Sequence, residues 1–498
     1  MHGNLSLLPK KGDLKDLNNW RGIMLLDTFS KCINSIIANR LQLLLKDRGI
    51  EEQNGFTAHR GCSDGIFSLK TALQKRQEHD LDTWVLFIEL VKAFDSVPRP
   101  LLFLVLEKFG LPKSLVDKIA LLHQNNIVRI KINDAEVELP NTVGVRQGDT
   151  LAPILFIIYM QAVLEYLNDR WLWEKPEYRT KSDYNFSGRS YKIGGDSMHN
   201  CISFQFNRSF YADDGAFPFV SRIDLDQGSN LIYPTLGKFG FGMHVGRNAI
   251  ISKSEYMLVP GKSRIKLYES YDTSDINIID PVKGNGIISA TKLFRYLGSI
   301  LSYDMDDSHD IDRRIELASK AFGMIQKYVF AEKQVSYLCK HKIYVAAILS
   351  ILLYGSDCWY MRVDLYRKLQ KFHHRCLRIM YGTSLYKMWQ QHISQIHIGQ
   401  ILQIRPVNYY LIKRKLDWIG KIMFMDINDR LPRKFISSWV YHKRPIGRPL
   451  MNFGQSFDFI LKKLEINKWK FEKAVKSDAN WIQFMDDIAS LPDEKFQF

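Results

Sequence analysis

Residues 210–217 read Phe-Tyr-Ala-Asp-Asp-Gly-Ala-Phe, and this octapeptide restricts the chain more than any other stretch. Extended patterns flank it, with Ile202-Ser-Phe-Gln-Phe before and Ala216-Phe-Pro-Phe-Val after. Two such runs about a short polar break read as a β-hairpin with Asp213 and Asp214 at its turn. Acids among apolar strands cannot be buried unpaired without large cost. They either face water, as a solvated Asp-Asp turn, or meet cations. The second reading points to hard ions, because Mg²⁺ takes oxygen ligands and leaves positions open for phosphate oxygens. A pair of such ions, about 3.5–4 Å apart, is the arrangement that drives nucleotidyl transfer.

A chain of 498 residues is too long for one small core and predicts two to four subdomains. Its net charge of +16 attracts polyanions, either nucleic acid or an acidic membrane face. The excess is local. Residues 361–450 hold 18 Lys+Arg against 4 Asp+Glu, a net of +14, which leaves +2 for the rest. Stackable rings interleave with these charges: Tyr366, His373, His374, Tyr381, Trp389, Tyr409, Tyr410 and Trp418. Basic residues beside aromatic faces suit phosphates and unpaired bases; the plain alternative is a solvated helical face over core aromatics. The six cysteines form no Cys-x-x-Cys pair, so neither a zinc knuckle nor a thioredoxin motif is present. No signal peptide is evident, and a reducing, intracellular protein is expected. The apolar run 343–353 is too short to span a membrane and reads as a core helix.

Along the chain, residues 1–18 are polar and turn-rich. Residues 20–48 carry apolar positions at helical spacing. A Gly-rich loop at 52–65 precedes a helix near 66–79. Residues 84–91 form an apolar run broken only by Glu89, as a buried strand would. Helices are predicted at 100–110, 114–124, 151–167 and 231–242, and a hairpin at 128–139 around Asn133-Asp134. Residues 170–199 read as a surface insertion. Strands are predicted at 255–259, 265–267 and 294–300, and helices from about 310 almost to the end.

Several segments in order resemble the reverse transcriptase of non-LTR retrotransposons. Asn19-Trp-Arg-Gly-Ile resembles the opening of the fingers, and Gln53-Asn-Gly-Phe through Arg60-Gly resembles the fingers motif. Phe87-Ile-Glu-Leu-Val-Lys-Ala-Phe-Asp-Ser-Val is similar to the first catalytic palm motif, and Gly144-Val-Arg-Gln-Gly-Asp-Thr-Leu-Ala-Pro to the Gln-Gly loop. Tyr211-Ala-Asp-Asp is the Asp-Asp box. Gly242 through Lys253-Ser-Glu resembles the lysine-bearing motif, and Phe294-Arg-Tyr-Leu-Gly the primer grip. The match covers roughly 14–300; Trp418-Ile-Gly-Lys and Arg444-Pro-Ile-Gly-Arg-Pro resemble the region after the thumb.

The resemblance implies an α+β right-hand polymerase followed by a basic all-α region. Fingers are expected at 1–80, a palm with a short antiparallel sheet at 81–300 (with an insertion near 168–200), a helical thumb at 301–360, and the basic region at 361–498. It implies an RNA-directed DNA polymerase acting on an RNA template, a DNA primer or target, and dNTPs, in the nucleus and without a membrane. Two Mg²⁺ ions, with Mn²⁺ as the alternative, would rest on Glu89, Asp213 and Asp214. Lys253 would neutralise or protonate the leaving pyrophosphate; otherwise it is a surface lysine. Phe94 would lie under the sugar and exclude a 2′-hydroxyl, or simply pack in the core, and a ring there argues against ribonucleotide substrates. Gln147 and Gly148 would bring backbone close to a base pair. Leu297 and Gly298 would approach the primer end. Arg60 and Arg21 are candidate phosphate or template contacts, or surface charge.

Three departures weaken the resemblance locally. Glu89 stands where the family has Asp, pushing the carboxylate out by about 1.5 Å. Thr57 stands where an arginine commonly faces the triphosphate. Asp149-Thr150 puts an acid near the phosphate path. No endonuclease precedes the fingers and no Cys/His cluster follows the thumb, so a truncated copy or a fragment is expected. The competing readings are a catalytically silent nucleic-acid-binding relic and a maturase-like RNA binder.

Overall fold

The computed structural model describes residues 2–10, 13–16, 19–124, 126–132, 135–181, 201–247, 250–443, 445–446 and 450–497. The predicted turn at Asn133-Asp134, most of the insertion (182–200) and most of Arg444–Pro449 lie outside these.

The apolar run 84–91 becomes the centre of a six-stranded sheet. Its order is Ile276–Ile278, Gly286–Ala290, Glu255–Val259, Thr83–Ile88, Asp214–Phe219, Ser209–Tyr211. All neighbours are antiparallel except Glu255–Val259 with Gly286–Ala290. Every residue of Thr83–Ile88 is buried. Successive side chains of a strand face opposite ways, and here the two faces serve different cores. Trp84, Leu86 and Ile88 join one core with helix Ala152–Asn168. Val85 and Phe87 join another with helix Cys62–Glu78 and the helical C-terminal half. That is why the strand reads as continuously apolar.

A second sheet, ordered Trp20–Leu25, His2–Pro9, Ile127–Ile132, Ala135–Pro140, stands beside the first. Two predictions fail here. The polar start of the chain contains a strand, and 20–25 is its partner rather than the head of a helix. That helix begins at Thr28, where the Asp27 carboxylate accepts the Ser30 amide at 2.8 Å as N-cap. The predicted strand at 265–267 lies in a 3₁₀ segment, Lys262–Ser270, and the helix predicted at 231–242 runs Arg222–Lys238. The predicted strand at 294–300 is a tight hairpin, Leu293–Tyr296 against Ser299–Ser302. Its two turn residues, Leu297 (φ 46°) and Gly298 (φ 87°), both adopt the left-handed conformation that such turns require.

From Ser308 the chain is helical. One core runs from Tyr296 through Met361 to Phe496 without a break, and it includes one side of helix Cys62–Glu78. The 361–498 region therefore packs into the polymerase-like body. No helix among the described residues is long and apolar enough to cross a membrane.

Candidate active site

Tyr211 pairs with Asp214, so the hairpin turn is Ala212-Asp213 and Asp214 already belongs to the return strand. Ala212 has φ 57°, a conformation that costs an L-residue roughly 1–2 kcal/mol. Gly215 pairs with Ile88, and the same register sets Asp214 opposite Glu89. On the other side Glu255 pairs with Phe87, which continues to Lys253 opposite Glu89. Glu89 sits where the strand changes partners, from Asp214–Phe219 to Gly242–Met243. Its amide donates to Ser254 Oγ (3.1 Å) and its carbonyl accepts the His244 amide (2.8 Å). The backbone is fixed and the side chain is exposed.

The three acids act on one another. Partial burial pushes the Asp213 carboxyl up, Glu89 adds to this, and Arg21 opposes it. Asp214 touches solvent at the cleft mouth, yet packing strips enough hydration to push it up to about 7, helped by Asp213 and Glu89 and opposed by Arg295. Crowded carboxylates with only distant guanidinium relief are what a hard cation neutralises, and oxygen donors suit Mg²⁺. Among the described residues, however, no three His, Cys, Asp or Glu side chains converge on one point. The acids are neighbours by register and charge, and the Glu89 side chain is exposed.

Beside them opens a cavity of about 350 Å³, whose lining includes Glu89, Asp214, Tyr211, Arg295, Leu297 and Gly298. The Leu293–Ser302 hairpin is held from behind. Tyr354 Oη donates to the Leu297 carbonyl (2.8 Å), and Arg313 and Arg314 donate to the Gly298 carbonyl. Phe94, half-buried, stacks on Phe156 (centroids 4.4 Å, 8°) and meets Phe56 edge-on (6.1 Å). Lys253 is exposed, and its amide donates to His244 Nδ1 at 3.1 Å.

Other predicted contacts are already used by the protein. Arg60, only 12% exposed, pairs with Glu51 (2.5 Å) and donates to the carbonyls of Ile50, Glu51 and Gln53. It is a bolt for the 50–53 turn and has no face left for template or phosphate. Asp149 is likewise no acid on a phosphate path. It is buried, bound by Arg146 (2.8 Å) and Asn34 (2.7 Å), and accepts the Leu151 amide. The close approach at Gly148 (φ 108°) is to the Met24 carbonyl, which an added Cβ would meet at 2.5 Å. The neighbouring Gln147 carbonyl accepts the Met24 amide (2.7 Å), so this loop is tied to the first sheet. Thr57 Oγ1 donates to the Gly55 carbonyl at 3.1 Å.

Sequence reading passed over three contributors. Arg295 lies inside the quoted primer-grip motif and faces Asp214. Gln53, inside the fingers motif, accepts the amides of Gly55 (2.9 Å) and Ala212 (2.8 Å). Tyr354 had no motif around it to find it by.

A helix-backed, mostly antiparallel sheet, with two acids at one hairpin and a third at the end of the adjoining strand, is the arrangement found in polymerase palms. The family model described as reverse transcriptase (RNA-dependent DNA polymerase) matches residues 8–301, and the chain belongs to that family. It is similar to the transposon TX1 uncharacterized 149 kDa protein of Xenopus laevis, 30% identical over 33% of this chain and 13% of that protein. It is also similar to the Pol polyprotein from the R2DM retrotransposable element of Drosophila melanogaster (27%; 32% and 15%) and to that from the R2 element of Bradysia coprophila (23%; 48% and 25%). The matched stretch thus spans a quarter or less of these relatives. Such names agree with the non-LTR resemblance drawn from the motifs. Among solved structures, telomerase from Candida albicans matches with TM-score 0.40 and 12% identity over 99% of this chain and 64% of that one; telomerase from Candida tropicalis gives 0.41 and 12% over 87% and 64%.

Proposed function

We propose that the chain is an RNA-directed DNA polymerase of a non-LTR retroelement, extending a DNA primer with dNTPs along an RNA template. One observation carries the reading: the strand register that sets Glu89 between Asp214 and Lys253, next to the Ala212-Asp213 turn. Glu89, Asp213 and Asp214 would hold two Mg²⁺ ions, or Mn²⁺, which when bound activate the primer 3′-hydroxyl and neutralise the triphosphate. Arg21 and Arg295 temper the negative charge around the acids. Lys253 stands on the flank of Glu89 to meet the leaving pyrophosphate. Phe94, clamped by Phe156 and Phe56, presents a ring where a ribose 2′-hydroxyl would sit. The cavity under Leu297 and Gly298 would receive the primer end; their carbonyls are taken by Tyr354, Arg313 and Arg314, so backbone amides are the groups left to offer. Copying onto chromosomal DNA puts the work in the nucleus, which imaging of a tagged chain would check.

The test is primer extension on an RNA template. A displaced ligand of about 1 Å costs on the order of 10²-fold, or about 2.7 kcal/mol, so Glu89→Asp should gain about that factor over the parent. Asp213→Ala and Asp214→Ala should abolish extension. A second reading, a nucleic-acid binder without turnover, draws on the unconverged acids. It wins if parent and Glu89→Asp both bind RNA and neither extends a primer.

A further inference from the structure

The Asp-Asp turn is built around a left-handed alanine, and what holds that alanine can be traced outward. Gln53 Oε1 accepts the Ala212 amide at 2.8 Å and the Gly55 amide at 2.9 Å, while its Nε2 donates to the Ala212 carbonyl at 3.3 Å. One side chain thus grips both backbone groups of the strained residue. Residues 52–54 also run along the hairpin edge, exchanging amides and carbonyls with Phe210 at 2.8 Å. Gly55 is pressed so close that a Cβ there would meet the Ala212 nitrogen at 2.4 Å.

The 50–53 turn has its own support. Arg60 donates to three of its carbonyls and pairs with Glu51. The other face of Glu51 is held from more than 370 residues downstream: Oε1 accepts Arg430 Nε at 3.0 Å and the Leu431 amide at 2.9 Å. Arg430 Nη2 binds Asp64 Oδ1 at 2.6 Å, and Asp64 also takes Lys421 at 3.1 Å and the Gly61 amide at 3.0 Å. Arg430, Glu51 and Arg60 are all less than a fifth exposed, so solvent screens these pairs little.

We infer that Arg430 of the C-terminal region is a positioning residue for the Asp213–Asp214 turn, acting through Glu51, Arg60 and Gln53. Strained backbone persists only where its surroundings over-determine it, and this chain of contacts is the surrounding that does so. Its relevance to turnover rests on the polymerase reading; its structural content does not.

Hydrogen exchange of the 209–214 segment, read by mass spectrometry on the full chain, tests it without turnover. In Gln53→Met, which keeps the volume and loses the acceptors, exchange there should rise at least tenfold while strand 83–88 is unchanged. Arg430→Met should raise exchange in the same segment; Glu51→Gln, which keeps shape and removes charge, serves where Arg430→Met fails to fold. In primer extension each variant should lower kcat about tenfold or more at constant primer-template KM. The double variant Gln53→Met/Arg430→Met should be no worse than Gln53→Met alone. Exchange at 209–214 that follows Gln53→Met but ignores both Arg430→Met and Glu51→Gln overturns the inference, as does a double variant whose loss is the product of the singles. Should no form extend a primer, the polymerase reading fails and the exchange data alone decide the positioning role.

Discussion

Of the basic residues in 361–450, many are already engaged by the protein, in ion pairs or by burial. Arg362, Lys368, Arg405, Lys413, Lys421 and Arg430 are in ion pairs, and Lys415 and Arg433 are buried. A stripe remains. Arg367, Lys371, Arg375 and Arg378 follow one face of helix Val363–Tyr381 over about 16 Å. The first three are exposed and Arg378 is half-exposed. If this stripe binds single-stranded RNA, neutralising four phosphates gives a salt slope of about −0.7 for each, or about −3 in all. Between 50 and 200 mM salt that amounts to about a 50-fold loss of affinity. The variant with Gln at all four positions keeps helix propensity. Fluorescence anisotropy on an RNA oligonucleotide should give it a slope shallower by about 3 than the parent. An unchanged slope would refute the argument and move binding to the fingers and palm. Deleting 361–498 cannot answer the question, because it would strip the core shared with helix Cys62–Glu78.

Lys415 is fully buried, donating to the Trp359 carbonyl (2.6 Å) and Ser456 Oγ (2.8 Å) with no carboxylate bonded to it. Burial pushes it down to about 7. A depressed lysine contributes no penalty above its unfolded pKa and its full penalty once pH falls through about 7, here about 5 kcal/mol. Removing the ammonium orphans the Trp359 carbonyl at about 1–3 kcal/mol, while Ser456 Oγ still accepts the Met361 amide, so Lys415→Met should stabilise the chain near pH 7 in urea unfolding, and this gain should vanish by pH 10. Asp214 has the opposite sign: raised to about 7, it destabilises the metal-free chain as pH climbs from about 4 to 7. Mg²⁺ should recover that loss in thermal melts and should have no effect on Asp214→Asn. Phe94→Val should admit ribonucleotides at least tenfold better while changing dNTP use little; equal discrimination in single-turnover assays would leave the ring a core residue.

The palm was legible because its signals are local. A continuous apolar run means a strand covered on both faces, and a pair of acids between extended runs means a hairpin. Arg60 and Asp149 were misread for a shared reason. Sequence shows a charge but not its burial, and each meets its partners only after folding: Arg60 in a turn capped by Arg430, Asp149 through Asn34 on another helix. The strand 2–9 was missed because it is held by pairing to 20–25 on one side and 127–129 on the other, while its residues 4–9 are exposed or half-buried, so composition carried no signal for it.

Helix Cys62–Glu78 takes this further. Nearly all of it is buried, yet its buried residues include Asp64, Lys70, Thr71, Gln74, Arg76 and Gln77. As an isolated pattern this is a poor core helix, since each such group costs free energy unless bonded. Each finds its partner elsewhere. Lys70 takes Asp307 and the Cys358 carbonyl, Thr71 bonds Tyr360, and Gln74 reaches the Met451 carbonyl. Gln77 reaches the Pro260 and Tyr303 carbonyls, Arg76 takes Thr83, and Asp64 takes Lys421 and Arg430. Five of the six find a partner beyond residue 300, Arg76 being the exception. The helix next to the candidate site is therefore completed by residues of 301–360 and of the C-terminal region. The basic excess is divided in the structure, one part facing outward on helix Val363–Tyr381 and one part, Lys421 and Arg430, reaching Glu51 and Asp64 to tie the C-terminal region to the N-terminal half.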